Sequence, residues 1–178
     1  MATRKWVIDP THSEVQFKVK HLMITTVTGS FDKFEASIET DKEDFSKAKI
    51  SFSADVASVL TGNTDRDNHL KSPDFFDVEK FPKITFVATK YESVDNDGSY
   101  ELFGDLTIHG GTKKVELAVE FGGVAKDPWG NVKAGFTING KINRKDFGLV
   151  WNAPTEAGGV LVSEDVRIAC EIQLIEQQ

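Results

Sequence analysis

The amino-acid sequence predicts an all-β fold. A single domain over residues 1–178 is expected, built as an eight-stranded antiparallel up-and-down barrel with a short helical insertion between strands three and four. Three observations predict it. Apolar and polar residues alternate with period two in eight separate segments, the mark of strands with one dry and one wet face. Several connections carry turn chemistry, so consecutive strands are expected to be antiparallel neighbours. Eight one-sided strands in meander order lose their open edges best by closing on themselves, with the apolar faces inward.

The segments follow in order. In 13–22, Val15, Phe17, Val19 and His21 share one face, against Glu14, Gln16, Lys18 and Lys20. In 28–40, Phe34, Ala36 and Ile38 oppose Glu35, Ser37 and Glu39. Segment 47–60 sets Ala48, Ile50, Phe52, Ala54 and Val56 inward, and 83–94 sets Ile84, Phe86 and Ala88 inward. Tyr100, Leu102, Gly104, Leu106 and Ile108 form the inner face of 98–109, and Val115, Leu117, Val119 and Phe121 that of 113–124. The last two segments, 131–143 and 164–176, turn Ala134, Phe136, Ile138, Gly140 and Ile142, then Val166, Ile168, Cys170, Ile172 and Leu174, to the inside. Asp95-Asn96-Asp97-Gly98, His109-Gly110-Gly111-Thr112 and Asp127-Pro128-Trp129-Gly130-Asn131 read as hairpin turns. Two stretches break the alternation. One, 61–82, reads as one or two short helices; the other, 144–163, contains Asp146-Phe147-Gly148 and Gly158-Gly159.

Composition narrows the function classes. With 28 acidic against 21 basic residues, the net charge of −7 argues against nucleic acid or an anionic membrane surface as the main partner. The single Cys170 allows no intramolecular disulfide, and its neighbours Ile168 and Ile172 suggest a buried thiol. The N-terminal run Ala2-Thr3-Arg4-Lys5-Trp6-Val7-Ile8-Asp9 builds no signal-peptide core, and no segment is apolar enough to span a bilayer as a helix, so the chain as given reads as cytoplasmic without integral membrane association. Alternation alone does not separate a water-facing barrel from an outer-membrane one. Thirteen Phe against only two Tyr and three Trp leave little for interfacial girdles, which favours the former.

Catalytic chemistry is not legible. His12, His21, His69 and His109 lie in separate segments without metal-ligand spacing, so no metal is expected. Ser13 follows His12, but adjacent strand residues point to opposite faces. There is no nucleophile elbow and no phosphate loop, and His109-Gly110-Gly111 reads as a turn.

The open question is whether the interior is filled. Ala36, Ala48, Ala54, Ala88, Gly104, Ala134 and Gly140 withdraw volume from the axis, which either leaves a cavity or matches bulky partners across the barrel. With a cavity, the wall is read as Phe17, Val19 and His21, then Phe34, Ala36 and Ile38, then Phe52, Ala54 and Phe86. Leu102, Leu106, Leu117, Val119, Phe136, Ile138 and Cys170 complete it. Such a wall selects a long apolar tail, at roughly 0.8 kcal/mol per buried methylene, inside a barrel about 25 to 30 Å tall. In the long break, Arg66, His69, Phe75 and Phe76 suggest either a lid that meets a polar head group or a surface helix with aromatic anchors.

Five blocks in order carry a resemblance over about residues 6 to 172. They are Trp6-Val7-Ile8-Asp9 with Pro10-Thr11-His12-Ser13; Val15-x-Phe17-x-Val19-x-His21 with Gly29-Ser30-Phe31; Arg66-Asp67-x-His69-Leu70-Lys71-Ser72 with Asp74-Phe75-Phe76-Asp77 and Phe81-Pro82; Gly104-Asp105-Leu106-Thr107-Ile108-His109-Gly110; and Asn143-Arg144-Lys145-Asp146-Phe147-Gly148-Leu149. Together they resemble the YceI-like family of lipocalin-like, polyisoprenoid-binding proteins. The resemblance implies a lipocalin-like barrel whose apolar pore holds an isoprenoid or other long-chain amphiphile, of polyprenyl or quinone type, with no established catalytic residues. No further cofactor is then required, and a homodimer is left open. An enzyme acting on such a lipid, with His21, Arg66 or His69 as acid-base groups, and a ligand-free stress-response barrel are the competing readings.

Overall fold

The computed structural model describes residues 3–41, 44–94, 98–152 and 161–177, so the Asp95-Asn96-Asp97 part of one expected turn and the Gly158-Gly159 pair lie outside the described residues. Eleven strands are joined antiparallel: β1 (Thr3–Ile8), β2 (Glu14–His21), β3 (Thr25–Phe31), β4 (Phe34–Asp41), β5 (Asp44–Asp55), β6 (Val59–Leu60), β7 (Lys83–Ser93), β8 (Ser99–Ile108), β9 (Gly111–Lys126), β10 (Val132–Asn143) and β11 (Asp165–Gln177). The order β1-β4-β5-β7-β8-β9-β10-β11, with β11 returning to β1, closes an eight-strand ring.

The ring is the expected meander, with its first three strands kinked. The long β11 pairs with β1 near its end, Leu174 opposite Ile8, and with β2 near its start, Arg167 opposite Lys18. Residues 3–21 therefore act as one strand broken at 9–13. The break has a visible cause. Pro10 lacks an N–H for the ladder, and buried Asp9 accepts from the Thr11 N–H and hydroxyl at 3.0 and 2.7 Å, turning the chain through one 3₁₀ turn. Likewise β3 and β4 make one strand, and β5 and β6 another, broken where Ser58 Oγ accepts the Lys33 N–H at 3.0 Å. β1 falls outside the eight alternating segments, because Thr3 to Ile8 is too short and charged to alternate clearly.

The insertion carries one helix, α1 (Thr64–Lys71), started by Asn63, whose side chain accepts the Arg66 N–H at 2.9 Å, with Asp65 and Asp67 in the first turn. The core runs the length of the barrel, from Val56, Val59 and Phe147 at one end to an aromatic cluster at the end where β1 begins and β11 finishes. Trp6, 1% exposed, donates its indole N–H to Thr40 Oγ1 at 3.1 Å and packs on Phe45 with ring centroids 5.2 Å apart. Phe45 in turn meets Phe121 and Phe136, and Tyr91 stacks on Tyr100 at 4.5 Å.

Candidate ligand-binding lumen

Above this aromatic plug the barrel encloses a cavity of about 450 Å³. Its walls are almost wholly apolar, and every wall residue predicted from the sequence borders it except Phe34. Phe34 begins β4 directly after the kink, and there its ring lies against Phe52, 6.5 Å between centroids, instead of over the lumen. Phe17, Val19, Phe136, Ile138 and Cys170 all point inward yet stay only half-buried. Inward side chains that keep accessible surface mark a lumen its own residues do not fill.

The small residues do not make this space. A Cβ on Gly104 would strike the Phe86 ring, and one on Gly140 the Leu117 side chain. Ala134 is fully buried, and neither it nor Ala48 nor Ala88 borders the cavity. Of the seven, only Ala36 and Ala54 reach the lumen, and the two glycines accommodate bulky neighbours. The cavity runs up the barrel from Phe45 and Phe136 to the mouth, where His69 of α1 meets Trp151.

The predicted mouth cluster is brought together there, with its cations already engaged. Arg66 donates from Nε to Thr61 Oγ1 at 2.7 Å and from Nη2 to the Thr61 carbonyl at 2.6 Å. His69 Nε2 lies 2.9 Å from Asp74 Oδ2, and its ring is edge-on to Phe75 and to Trp151, at 5.0 and 4.8 Å. Phe76 packs edge-on to Phe31 at 6.1 Å. His21, Arg66, His69, Phe75 and Phe76 all border the cavity.

Sequence reasoning passed over Arg144, the most deeply placed cation. It is 3% exposed, borders the cavity, and donates to the carbonyls of Ser163, Leu149 and Val162, with no carboxylate in ion-pair contact among the described residues. Burial pulls its pKa down, partly opposed by the charge of Glu164. Its signal was present in the Asn143–Leu149 block, but that block lies outside the alternating segments from which wall residues were drawn. Leu149, Trp151, Leu161 and Val162 were missed for the same reason.

The other candidate chemistry resolves into structure. His12 Nδ1 sits 2.8 Å from Asp9 Oδ2, while Ser13 Oγ accepts the Gln173 N–H at 2.9 Å, so the two do not form a dyad. His109 occupies a left-handed turn, φ 56°, beside Phe81. Burial pushes the Cys170 thiol up to about 11, which keeps it protonated and a poor nucleophile. Among the described residues no three His, Cys, Asp or Glu side chains converge as a metal site, and no helix is long and apolar enough to cross a membrane.

Comparisons with known proteins agree with this geometry. The model of the YceI-like domain matches residues 6–174. A UPF0312 protein of Staphylococcus aureus (strain MSSA476) is 42% identical over 163 residues, covering 91% of this chain and 92% of the relative. The crystal structure of the Campylobacter jejuni YCEI protein superposes with a TM-score of 0.76 at 39% identity, over 90% of this chain and 91% of that one. A polyisoprenoid binding domain from Saccharophagus degradans, implicated in plant cell wall breakdown, shares the fold alone, with a TM-score of 0.66 at 17% identity over 97% of this chain and 98% of that one.

Proposed function

The chain belongs to the YceI-like family, and on that premise we propose that its lumen binds a long-chain isoprenoid lipid, polyprenyl or quinone in type, and sequesters or carries it without converting it. One observation carries this reading: a cavity of about 450 Å³ whose inward side chains are apolar and left partly accessible. Filling it with hydrocarbon gains roughly 0.8 kcal/mol per methylene, and among the described wall residues the one buried side-chain polar atom without a partner is the Tyr91 hydroxyl. The tail lies along the lumen toward the plug, and the head group stays at the mouth near His21, Arg66, His69 and Arg144. Binding over turnover is supported by the engagement of these polar groups with Thr61, Asp74 and backbone carbonyls, and by the protonated state of Cys170. The binding domain from Saccharophagus degradans lends the ligand class its plausibility.

Organic extraction of freshly purified protein followed by mass spectrometry tests it, together with titration of delipidated protein by a polyprenol series. A stoichiometric isoprenoid is expected, with affinity rising with tail length to a plateau once the lumen is full. Affinity that follows the head group and ignores tail length overturns the assignment.

A further inference from the structure

The hairpin formed by β2 and β3 ends in Leu22-Met23-Ile24, and these three side chains are 40, 58 and 76% exposed. Leu22 and Met23 hold left-handed backbone, φ 52° and 60°, where short turns normally place Asn or Gly. The fold does not require these residues, since nothing of the core rests on them and Asn-Gly would make the same turn at less cost. The opposite end of the barrel shows ordinary turn chemistry: Asp127 accepts the Trp129 and Asn131 N–H groups in the β9–β10 turn.

The apolar tip stands at the rim of the lumen. Its Leu22 N–H donates to the Leu161 carbonyl at 2.8 Å, and His21 bridges to Val162; His21, Leu161 and Val162 all border the cavity. In a chain of net charge −7, residues 15–31 contain no acid and carry Lys18, Lys20 and His21. Glu164 and Asp165, the described acids next to Leu161 and Val162, are paired with Lys145 and Lys141. Among the described residues neither Lys18 nor Lys20 is held in an ion pair.

We propose that the β2–β3 tip is a membrane-docking finger, which sets Leu22, Met23 and Ile24 into the interface of an anionic bilayer and brings the lumen mouth against the lipid surface. A convex apolar tip flanked by cations suits a soft, negatively charged interface, where apolar side chains enter the head-group layer and lysines meet lipid phosphates. Three side chains give a reversible attachment, as a protein that loads and leaves requires. This rests on the lipid-binding reading of the lumen, since docking matters because the mouth lies beside the tip.

The full chain is tested by flotation with phosphatidylcholine vesicles, with and without phosphatidylglycerol. Wild type is expected to float with the anionic vesicles. The triple variant Leu22→Asn, Met23→Gly, Ile24→Ser supplies the turn with its preferred residues, so its melting temperature should hold or rise while its vesicle partitioning falls by about tenfold or more. Lys18→Gln with Lys20→Gln should remove the preference for anionic vesicles, and Trp129→Ser at the far end should change nothing. Equal flotation of wild type and the triple variant, or no flotation of wild type, overturns the proposal. Lumen occupancy is read separately, by loading both proteins with polyprenol from detergent micelles: equal loading keeps the lumen reading whatever the vesicles show, and no loading of either removes it.

Discussion

At the closed end of the barrel Trp6, Phe45, Phe121 and Phe136 meet ring to ring, while toward the open end Phe17, Val19, Ile138 and Cys170 sit side by side on the adjoining strands β2, β10 and β11 and border the cavity. Both ends are built from the same alternating strands, and β10 contributes to each through Phe136 and Ile138. The difference teaches that alternation decides which side chains point inward and leaves open whether they touch. Contact depends on how far the strands converge and on what crosses the axis. At the closed end large rings meet. At the open end rings meet only between neighbours, Phe17 on Phe31 of the next strand and Phe31 on Phe76 of the insertion, while His69 of α1 meets Trp151 at the mouth among the described residues.

Truncation at the plug should break the closed half outright. Trp6→Ala removes a fully buried indole with its bond to Thr40 and is expected to cost about 3 to 5 kcal/mol of unfolding free energy. Urea unfolding checks it, and a loss under 1 kcal/mol would mean the plug repacks and is not the rigid half.

At the mouth the main structural tie is electrostatic. Arg144→Met takes the charged donor from the carbonyls of Leu149 and Ser163, while that of Val162 keeps its bond from Asn152, and should cost about 3 kcal/mol. Polyprenol affinity measured beside the unfolding curve separates the roles. Loss of stability with affinity retained makes Arg144 a staple of the mouth; a selective loss for polyprenyl phosphate over polyprenol adds a head-group contact.

How much of this was legible in the sequence differs along the chain. The closed meander was readable because each inner face repeats every second residue over five to nine positions, in eight successive segments. The kinked start was not, because β1 is six residues long and its break depends on Asp9 reaching back to Thr11, a tertiary detail of local hydrogen bonding. The wall was readable for the same periodic reason, save Phe34, whose place at a kink rotates it away. The mouth was half readable. Arg66 and His69 were found by composition, but their partners Thr61, Asp74 and Trp151 were not, and Arg144 lies where no periodicity guides the eye. The small residues were a poor guide to space because the volume beside Gly104 and Gly140 is taken by the Phe86 ring and a Leu117 methyl, a match invisible without the register.

The filled and unfilled zones can be separated by adding bulk to each. Ala54 is 1% exposed and hemmed between Phe34 and Ile84 in register, so Ala54→Trp should overpack and cost about 1 to 3 kcal/mol. Val19→Trp projects into free lumen, so it should leave the melting temperature nearly unchanged while lowering polyprenol affinity by about tenfold. Equal destabilisation by both would mean the two positions are packed alike.

Acid should loosen the kinked strand before the plug. Burial alone would raise the Asp9 pKa, but hydrogen bonds from Lys133, Thr11 and His12 outweigh it and hold the carboxyl well below its usual range. A depressed carboxylate contributes stability that is present above its unfolded pKa, about 4, and is lost as pH falls further. Asp9→Asn should therefore cost stability at pH 7, where the charged carboxylate holds Lys133, change little once acid has protonated wild-type Asp9, and so flatten the acid limb of the stability–pH curve; an unchanged acid limb would remove Asp9 as its source.

The smallest effect is a reporter of occupancy at the boundary between the two halves. Cys170 sits on the lumen wall, and burial pushes its thiol up to about 11, with the Glu171 charge adding to this and a hydrogen bond at Gln16 opposing it. At pH 8 only about one thiol in a thousand is then ionised, so alkylation by iodoacetamide should run roughly a hundredfold slower than for a free cysteine. Because the wall is half-buried and not sealed, that slow reaction should still go to completion in delipidated protein, and a bound tail should suppress it further. A delipidated protein that reacts at the free-cysteine rate would place Cys170 in water and shorten the lumen. A rate unchanged by saturating polyprenol would place the tail above it, toward the mouth.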